Sequence, residues 1–539
     1  MKNRNGATYD YVIVGAGSAG ALLASRLSED GGSTMCLLEA GPADDSIFIG
    51  IPAGFLKVIF DPGLTWSFET ERGPAIGNRK LPALQGRVVG GSGSINGMVY
   101  VRGQARDFDT WAQLGNRGWS YDDVLPYFRE LEHRAGVCDP NYRGQGGKLS
   151  IVDLSWKNKL VDSFIASAET VGIPRNPDYN GARQDGVGPY QYNIDRGWRH
   201  SSARAFLRPA LRRGNIDLRT NAMVERILFE GRAATGVRYR NGGGAQDVFA
   251  RREVILCGGA LNTPRLLQVS GVGAADHLGS IGVPVVHELR GVGANLRDHY
   301  TPRMVLRAQD TLTINDVARC PRVIGEGVRW LLNRPSIIGM GVVLGAAFWK
   351  SSPELDAPDM VITFTPGSFK AGFLGVLDDV PGMTVGTWQL RPESHGHVRA
   401  RSMEMKTPPE IQPNYLTAAH DRDVVVKGLK LIRKILAQPA MARYCAEEML
   451  PGRSVQSDSE LLSYAMSQGL GGYHYCGTCR MAPESDPDAV VDDALRVRGL
   501  DRLRVVDASI MPNIVSGNTN ATTMMIAEKG ADLIRKGTP

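Results

Sequence analysis

Short apolar runs near the N-terminus alternate with a helical pattern. Residues Tyr11 to Val14 form a β-branched apolar run, typical of a strand buried on both faces of a sheet. Apolar residues then recur with helical spacing from Ala19 to Leu27, and a second strand-like run covers residues 35–38. This order predicts a strand, a helix and a second strand, which together begin a Rossmann-like α/β domain.

The turn between the first strand and the helix carries the glycine pattern GAGSAG at residues 15–20. Gly15 permits a tight turn, Gly17 lets the backbone approach a pyrophosphate, and Gly20 lets helix and strand pack closely. The helix N-terminus offers free N–H groups to phosphates. Glu39, at the end of the second strand, can accept hydrogen bonds from a ribose and disfavours a 2′-phosphate. The motif therefore predicts dinucleotide binding, with FAD and NAD both open.

Three later segments contain further motifs rich in small residues. The first is GRVVGGSGSINGM at residues 86–98, and the second is GALNTPRLLQVSGVG at residues 259–273. The third covers residues 473–481, followed by VVDASIMP at 505–512 and NTN at 518–520. Together with the N-terminal turn, these segments resemble, in the same order, the signature segments of the glucose–methanol–choline (GMC) oxidoreductases. The resemblance extends from about Asp10 to Arg535.

This resemblance implies an α/β chain (α+β overall) with two interleaved domains. One is a Rossmann-like FAD-binding domain, which we expect to be assembled from residues 1–155, 215–305 and 472–539. The other is a sheet-and-helix substrate-binding domain, expected from residues 156–214 and 306–471. The last FAD-binding segment is expected to carry the catalytic residues.

The same segments supply the residues expected to hold FAD. They are Gly15, Gly17, Ser18, Ala19, Gly20, Glu39, Ala40, Arg87, Gly90, Gly91, Ser92, Asn96, Gly97, Met98, Val224, Gly259, Asp507, Ala508, Asn518 and Thr519. Family members that hold flavin covalently use a histidine where this chain has Ile95. Because isoleucine cannot form that bond, we expect the FAD to be non-covalent.

Oxidation of an alcohol by hydride transfer needs a base for the hydroxyl proton, and histidine, with a pKa of about 6.5, is the natural base near pH 7. The resemblance assigns this role to His474 and assigns Asn518 to the amide that holds the substrate oxygen. For Asn520, a structural role, a contact with the flavin edge and a contact with the substrate are all open. The stretch around His299 is expected to form a structural corner near the cofactor, which we favour over a role of His299 as the base.

Three positions depart from the family pattern. Choline-oxidising relatives carry a glutamate at the position on which Leu344 falls, so we expect a neutral, partly apolar alcohol rather than a quaternary ammonium. Tyr475 stands where many relatives have proline. Cys476 and Cys479 form a CxxC pattern, but no second pair of cysteines or histidines accompanies it, so we expect neither a metal site nor a redox role.

Composition and charge limit the kinds of molecule that the chain is expected to bind. The chain has 539 residues, which predicts two domains, and its net charge is +6 without a long basic run. We expect no nucleic-acid partner, whereas an anionic cofactor or peripheral contact with the inner membrane is compatible with this charge. The longest apolar stretch, from Ile337 to Trp349, is too short to span a bilayer. Seven unevenly spaced cysteines and a polar N-terminus favour a cytoplasmic location.

Three functions remain open at this point. The first is an FAD-dependent dehydrogenase that converts a neutral, primary alcohol to the aldehyde and passes electrons to a quinone or another carrier. The choline dehydrogenase and alcohol dehydrogenase branch of the family resembles the chain most. The second is an oxidase that passes electrons to O₂ and forms H₂O₂. The third is a lyase, because some family members cleave cyanohydrins.

Ile95 leads to the first testable prediction. The purified protein should be yellow, and denaturation by acid or heat should release intact FAD, because no covalent bond holds the flavin. The measurement is the flavin absorbance of the supernatant after the denatured chain has been sedimented. Flavin that sediments with the chain would contradict the prediction.

Overall fold

The predicted N-terminal strand lies inside a seven-stranded sheet in the computed structural model, which describes residues 6–341, 343–370 and 375–537. It covers Thr8–Val14 and pairs in parallel with Met35–Leu38 on one side and Gly244–Leu256 on the other. Val12 and Ile13 are fully buried, as the apolar run predicts. The predicted helix is Ser18–Leu27, so this strand–helix–strand unit is confirmed.

Two further strands widen the parallel part of this sheet. Ile216–Arg219 pairs with Met35–Leu38, and Leu503–Val505 pairs with the second half of Gly244–Leu256. The first half of Gly244–Leu256 instead continues into an antiparallel meander with Ala233–Asn241 and Met223–Glu230. Segments distant in sequence therefore meet in a single sheet.

A second, antiparallel sheet of six strands lies beside the first. Its strands, in spatial order, are Cys445–Leu450, Arg303–Ala308, Gly382–Gln389, Met360–Thr365, Gly345–Trp349 and Gly186–Pro189. The helices Lys159–Thr170 and Ala419–Leu436 pack against it. A second buried apolar cluster surrounds this sheet, separate from the cluster around the first.

The remaining elements connect these two layers. The other α-helices are Ile47–Gly50, Phe55–Val58, Ala105–Gln113, Tyr121–Leu131, Arg208–Leu211, Gly259–Val269, Ala275–Ser280, Ile314–Val317, Arg322–Leu331, Pro439–Ala442, Asp458–Gln468 and Thr519–Lys536. Small sheets are formed by Thr65–Glu69 with Pro82–Gly86, by Glu132–Arg134 with Leu149–Asp153 and Gln191–Tyr192, by Ile194–Asp195 with Trp198–Arg199, by Val272–Gly273 with His287–Glu288, by Ala294–Leu296 with Gly396–Arg399 and Glu410–Gln412, and by Tyr300–Thr301 with Leu470–Gly471. Short 3₁₀ segments cover Pro52–Gly54, Pro74–Ile76, Gly91–Ser94, Ile337–Gly339 and Ala508–Ile510, and Ala203–Leu207 is a π-helix.

The predicted fold class, α/β (α+β overall), is confirmed by this pair of sheets. One strand, Arg303–Ala308, crosses the expected limit between residues 305 and 306, and the exact domain limits stay a prediction. None of the helices in the described part of the chain is both long and apolar enough to cross a membrane.

Candidate active site

A cavity of about 350 Å³ opens where the parallel strands of the first sheet end. Val14, Leu38 and Leu256, the last residues of three neighbouring strands, line it. Ligands of open α/β sheets bind at the carboxyl ends of the strands, where loops and helix N-termini meet. The position of the cavity therefore agrees with the dinucleotide motif.

Most residues predicted to hold FAD line this cavity. They are Gly15, Gly17, Ser18, Ala19, Glu39, Ala40, Gly91, Ser92, Asn96, Gly97, Met98, Val224, Gly259, Asp507, Ala508, Asn518 and Thr519, and His474 lines it as well. Three predicted residues lie behind the wall. The Gly20 backbone packs against Gly15, the Gly90 N–H donates to the Ala16 carbonyl at 2.7 Å, and Arg87 lies over the Trp66 ring.

Glycines shape the part of the cavity nearest the first helix. Gly15 has a φ of +99°, and a Cβ there would lie 2.5 Å from the Cys257 carbonyl oxygen. A Cβ on Gly91 would lie 2.7 Å from the Gly17 Cα. A side chain at either position would displace backbone, so two distant glycine segments can form one cradle only as glycines.

Glu39 lies buried at the end of its strand. Its Oε2 accepts the Ala16 N–H at 3.0 Å, and its Oε1 accepts the Gly41 N–H at 2.9 Å. Burial raises the pKa of Glu39 to about 7. Carboxylate oxygens have further lone pairs, so both remain able to accept from a ribose hydroxyl.

Asp507 ties its own segment to the helix Gly259–Val269 at the cavity. One carboxylate oxygen accepts the Gly259 N–H at 2.8 Å and the Thr263 hydroxyl at 2.6 Å, and the other accepts the Ser509 N–H at 2.8 Å. This places the N-terminus of Gly259–Val269 at the cavity wall. A second link joins the Ser18 hydroxyl to the Asn520 Oδ1 at 2.7 Å, which gives Asn520 a structural contact.

Arg199 supports the loop of the second glycine segment from behind. Its guanidinium is fully buried and donates to the Asn96 Oδ1 at 2.9 Å and to the Gly93 carbonyl at 3.2 Å. Burial lowers the pKa of Arg199 to about 9. Ile95 lines the cavity within this loop and is part of a small buried apolar cluster with Ile49 and Val58. Sequence reasoning missed Arg199, since nothing in its local pattern marks a residue that serves another segment.

Four groups form a chain of hydrogen bonds at the catalytic end of the cavity. The Asn518 Nδ2 lies 2.8 Å from the His474 Nε2, and the His474 Nδ1 lies 2.9 Å from the His299 Nδ1. The His299 Nε2 lies 2.9 Å from the Leu390 carbonyl oxygen. His474 and Asn518 therefore meet as predicted, and His299, predicted to be a structural corner, contacts His474 directly.

This chain determines which nitrogen carries each proton. A carbonyl oxygen can only accept, so the His299 Nε2 carries a hydrogen and the neutral ring accepts at Nδ1. The His474 Nδ1 must then donate to it, which leaves the His474 Nε2 with a free lone pair. The Asn518 amide N–H donates to that lone pair. His474 is thus held in the tautomer that can accept a proton at Nε2, and Nε2 faces the cavity.

Burial keeps both histidine rings neutral. It lowers the pKa of His299 to about 4. It also holds the pKa of His474 well below its usual range, and the neighbouring His299 adds to this effect. Neutral rings at pH 7 are the condition under which the His474 Nε2 can accept a proton.

Asp298 fixes the backbone that presents His474. Its Oδ1 accepts the His474 N–H at 2.6 Å, and its Oδ2 accepts the Tyr415 hydroxyl at 2.5 Å. Burial raises the pKa of this carboxyl to about 7. Tyr473, just before the histidine, has a φ of +61°, so the loop needs such an anchor.

The predicted position of Leu344 requires a correction. Leu344 is fully buried in the core of the second sheet, whereas its neighbour Val343 lines the cavity. Side chains of successive residues in an extended segment point to opposite sides. A shift of one position therefore moves a residue from the cavity wall into the buried core. The residue that faces the cavity here is therefore Val343.

Tyr475 and the two cysteines surround the same loop. Tyr475 lines the cavity where many relatives have proline. Cys476 and Cys479 are both fully buried and free, and burial raises the pKa of each thiol. A protonated, inaccessible thiol is unreactive, which supports our expectation that the pair has no redox role.

The side chains of the cavity wall fit a flavin dinucleotide. Buried polar atoms of four lining residues, the Gln85 Oε1, the Asn262 Nδ2, the Tyr475 hydroxyl and the Asn518 Oδ1, have no hydrogen-bond partner among the described residues. Buried polar groups are normally satisfied, so these atoms indicate a polar ligand. The N-terminus of Thr519–Lys536 also opens into the cavity, where it favours negative charge.

Comparison with protein families and known proteins agrees with this geometry. The family described as GMC oxidoreductase matches residues 9–301 with its N-terminal part and residues 392–527 with its C-terminal part. The alcohol dehydrogenase [acceptor] of Pseudomonas putida is 41% identical over 98% of this chain and 95% of its own. The mitochondrial choline dehydrogenase of Homo sapiens is 40% identical over 98% of this chain and 90% of its own.

Solved structures show the same architecture. Pyridoxine 4-oxidase from Mesorbium loti superposes with a TM-score of 0.88 at 31% identity, covering 98% of this chain and all of the other. A formate oxidase superposes with a TM-score of 0.92 at 25% identity, covering 99% of each chain. The similarity therefore extends over both sheets and the cavity between them.

Proposed function

Because the chain belongs to the GMC oxidoreductase family and is an FAD-dependent oxidoreductase acting on an alcohol, we propose that it oxidises a neutral primary alcohol to the aldehyde and passes the electrons to a quinone or another carrier. The observation that carries this proposal is the His474 Nε2, held proton-free at the cavity wall by the chain from the Leu390 carbonyl. The alcohol dehydrogenase [acceptor] supports a carrier as acceptor.

The residues proposed to hold FAD divide between its two ends. The glycine cradle at Gly15, Gly17 and Gly91 and the N–H groups of Ser18–Leu27 would receive the pyrophosphate. Glu39 would accept the ribose hydroxyls. The loop around Asn96 and the N-terminus of Thr519–Lys536 would hold the ring. Bound FAD supplies the acceptor for the hydride.

His474 and Asn518 are proposed to act on the substrate hydroxyl. An alcohol hydroxyl that enters between the two residues would accept the Asn518 N–H in place of the His474 Nε2, and would donate its own proton to the lone pair of Nε2 that this frees. As the proton leaves, the positive charge on His474 is stabilised through its Nδ1–H bond to His299. Asp298 keeps the ring in place through the backbone N–H. These contacts orient the carbon that loses the hydride.

The uncharged wall supports a neutral substrate. Among the described lining residues the carboxylates are Glu39 and Asp507, and backbone N–H groups already bind both. Val99, Val343 and Tyr473 contribute uncharged surface to the same wall. A quaternary ammonium there would lack a counter-charge, and an unpaired buried cation is strongly unfavourable.

Replacement of the base tests the proposal most directly. His474→Ala should keep FAD and slow flavin reduction by alcohol about 10²–10⁴-fold, the usual effect of a positioned base. Asn518→Gln should slow it less, because an amide remains but is displaced. Anaerobic rapid mixing isolates this step, and air admitted afterwards separates an oxidase from a dehydrogenase.

The control is His420→Ala, at an exposed histidine. The wild-type rate should rise with pH to a plateau reached below the ordinary histidine range, since the base must be neutral and burial lowers the pKa of His474. A His474→Ala enzyme that reduces its flavin within a few-fold of wild type would overturn the assignment. An alcohol that never bleaches the flavin would favour a lyase.

His299 can be tested as the residue that fixes the tautomer. His299→Leu removes the acceptor of the His474 Nδ1–H and should slow flavin reduction about 10–100-fold, the usual effect of removing such an outer partner. His299→Asn keeps an acceptor oxygen at that position and should recover most of the rate. The measurement is the rate of flavin reduction against pH, at saturating alcohol. Equal losses in both variants would show that His299 only fills space.

Substrate charge can be tested with two molecules of equal shape. The neutral 3,3-dimethylbutan-1-ol differs from choline by carbon in place of the quaternary nitrogen, so a difference between the two cannot come from size. We expect it to reduce the flavin at least about tenfold more efficiently than choline, because the cation would be buried unpaired. Val343→Glu should reduce the difference in efficiency between the neutral alcohol and choline, and Val343→Gln is the uncharged control. Equal efficiency with the wild type would disprove the neutral-substrate proposal.

A further inference from the structure

The helix Arg322–Leu331 presents its apolar side to solvent. None of its residues is buried. Ile324, Val328, Leu331 and the following Leu332 are 63%, 52%, 75% and 61% exposed. Positions separated by four, seven and eight residues lie on one side of a helix, so these four form a continuous apolar stripe. In an ordinary surface helix such a stripe faces the core.

The orientation of this helix is fixed by its opposite side. The Trp330 indole N–H donates to the Gly197 carbonyl at 2.8 Å, and its ring packs against Trp198 with 4.5 Å between the centroids. The Glu326 Oε2 accepts the Ile337 N–H at 2.9 Å. These contacts hold the inner side in place, so the stripe is held outward.

Basic residues outnumber acidic ones in the segment that carries the stripe. Residues 319–334 contain the four arginines 319, 322, 329 and 334 and one acid, Glu326, so the local charge is 4 − 1 = +3. Arginine stems can lie along apolar surface while their guanidinium groups reach polar headgroups. Apolar residues on one side with arginines around them are typical of helices that lie in a membrane interface.

We propose that the stripe and its arginines form a docking surface for an anionic phospholipid bilayer. The leucine and isoleucine side chains would enter the boundary between headgroups and acyl chains, and the arginines would bind lipid phosphates. A second copy of this chain is the weaker candidate, because a symmetric contact would bring two surfaces of charge +3 together.

The docking surface is continuous with the cavity wall. The Ser336 hydroxyl donates to the Glu326 carbonyl at 2.9 Å, immediately before the turn Ile337–Gly339. A Cβ on Gly341 would lie 2.8 Å from the Gly97 carbonyl oxygen, so this segment passes directly over the cavity loop. Val343 then lines the cavity itself. Docking would therefore place one wall of the cavity beside the lipid.

Vesicle flotation of the holoenzyme tests this proposal. With vesicles of phosphatidylcholine plus phosphatidylglycerol the protein should float, and with phosphatidylcholine alone or at high salt it should largely remain below. Leu331→Ser/Leu332→Ser should weaken binding at least about tenfold, since two exposed leucines lose their insertion. Leu114→Ser, at a leucine 44% exposed elsewhere, is the matched control.

A second set of variants tests the contribution of the arginines. Arg322→Gln/Arg334→Gln should weaken binding to the anionic vesicles, whereas Arg106→Gln/Arg212→Gln, at exposed arginines outside this surface, should not. Flavin absorbance verifies that every variant is folded. Flotation that fails with both lipids overturns the proposal, as does equal loss in the control variants. Light scattering that shows a dimer dissociated by Leu331→Ser/Leu332→Ser would assign the stripe to a second copy and also overturn it.

Discussion

The chain of hydrogen bonds that begins at the Leu390 carbonyl sets the chemistry of the cavity. Because a carbonyl can only accept, it fixes the proton on His299, and His299 in turn fixes the proton on His474. Leu390 follows a strand of the second sheet, and Asn518 precedes the last helix, which packs against the helix Ser18–Leu27 beside the first sheet. The relative position of these two parts is therefore a condition for an unprotonated Nε2 on His474. A displacement that opens one of these contacts changes reactivity without removing any reacting group.

The cofactor cradle depends on the same joining of distant segments. Gly91 approaches Gly17 so closely that a side chain on Gly91 would meet the Gly17 backbone, and Asp507 binds the start of Gly259–Val269. The Ser18 hydroxyl reaches Asn520 near the C-terminus. Each contact joins segments that lie far apart in sequence. This part of the cavity thus forms only when the N-terminal, middle and C-terminal stretches of the chain come together around the first sheet.

The sequence predicted those parts of the structure that depend only on residues close together in the chain. The first strand, the glycine turn and the helix Ser18–Leu27 follow from apolar spacing and backbone freedom alone. The pairing of His474 with Asn518 came only from the family resemblance. The contact with His299 was missed because the two histidines are 175 positions apart. The Leu344 assignment failed by one residue, since in an extended segment one position separates wall from core.

The helix Arg322–Leu331 has a local charge and an exposed apolar side that the overall composition of the chain does not reveal. The charge of +6 is spread along the chain, yet +3 of it gathers between residues 319 and 334. Helical spacing alone does not reveal which side of Arg322–Leu331 is covered; the contacts of Trp330 do. A neutral, partly apolar alcohol concentrates in lipid, and a quinone is dissolved there. If the helix docks on a bilayer, the cavity wall that continues from it through Val343 lies beside the lipid, where the alcohol and the quinone are both most abundant. The same physical preference, the exclusion of unpaired charge from apolar surroundings, would then select the substrate and the place where it is found.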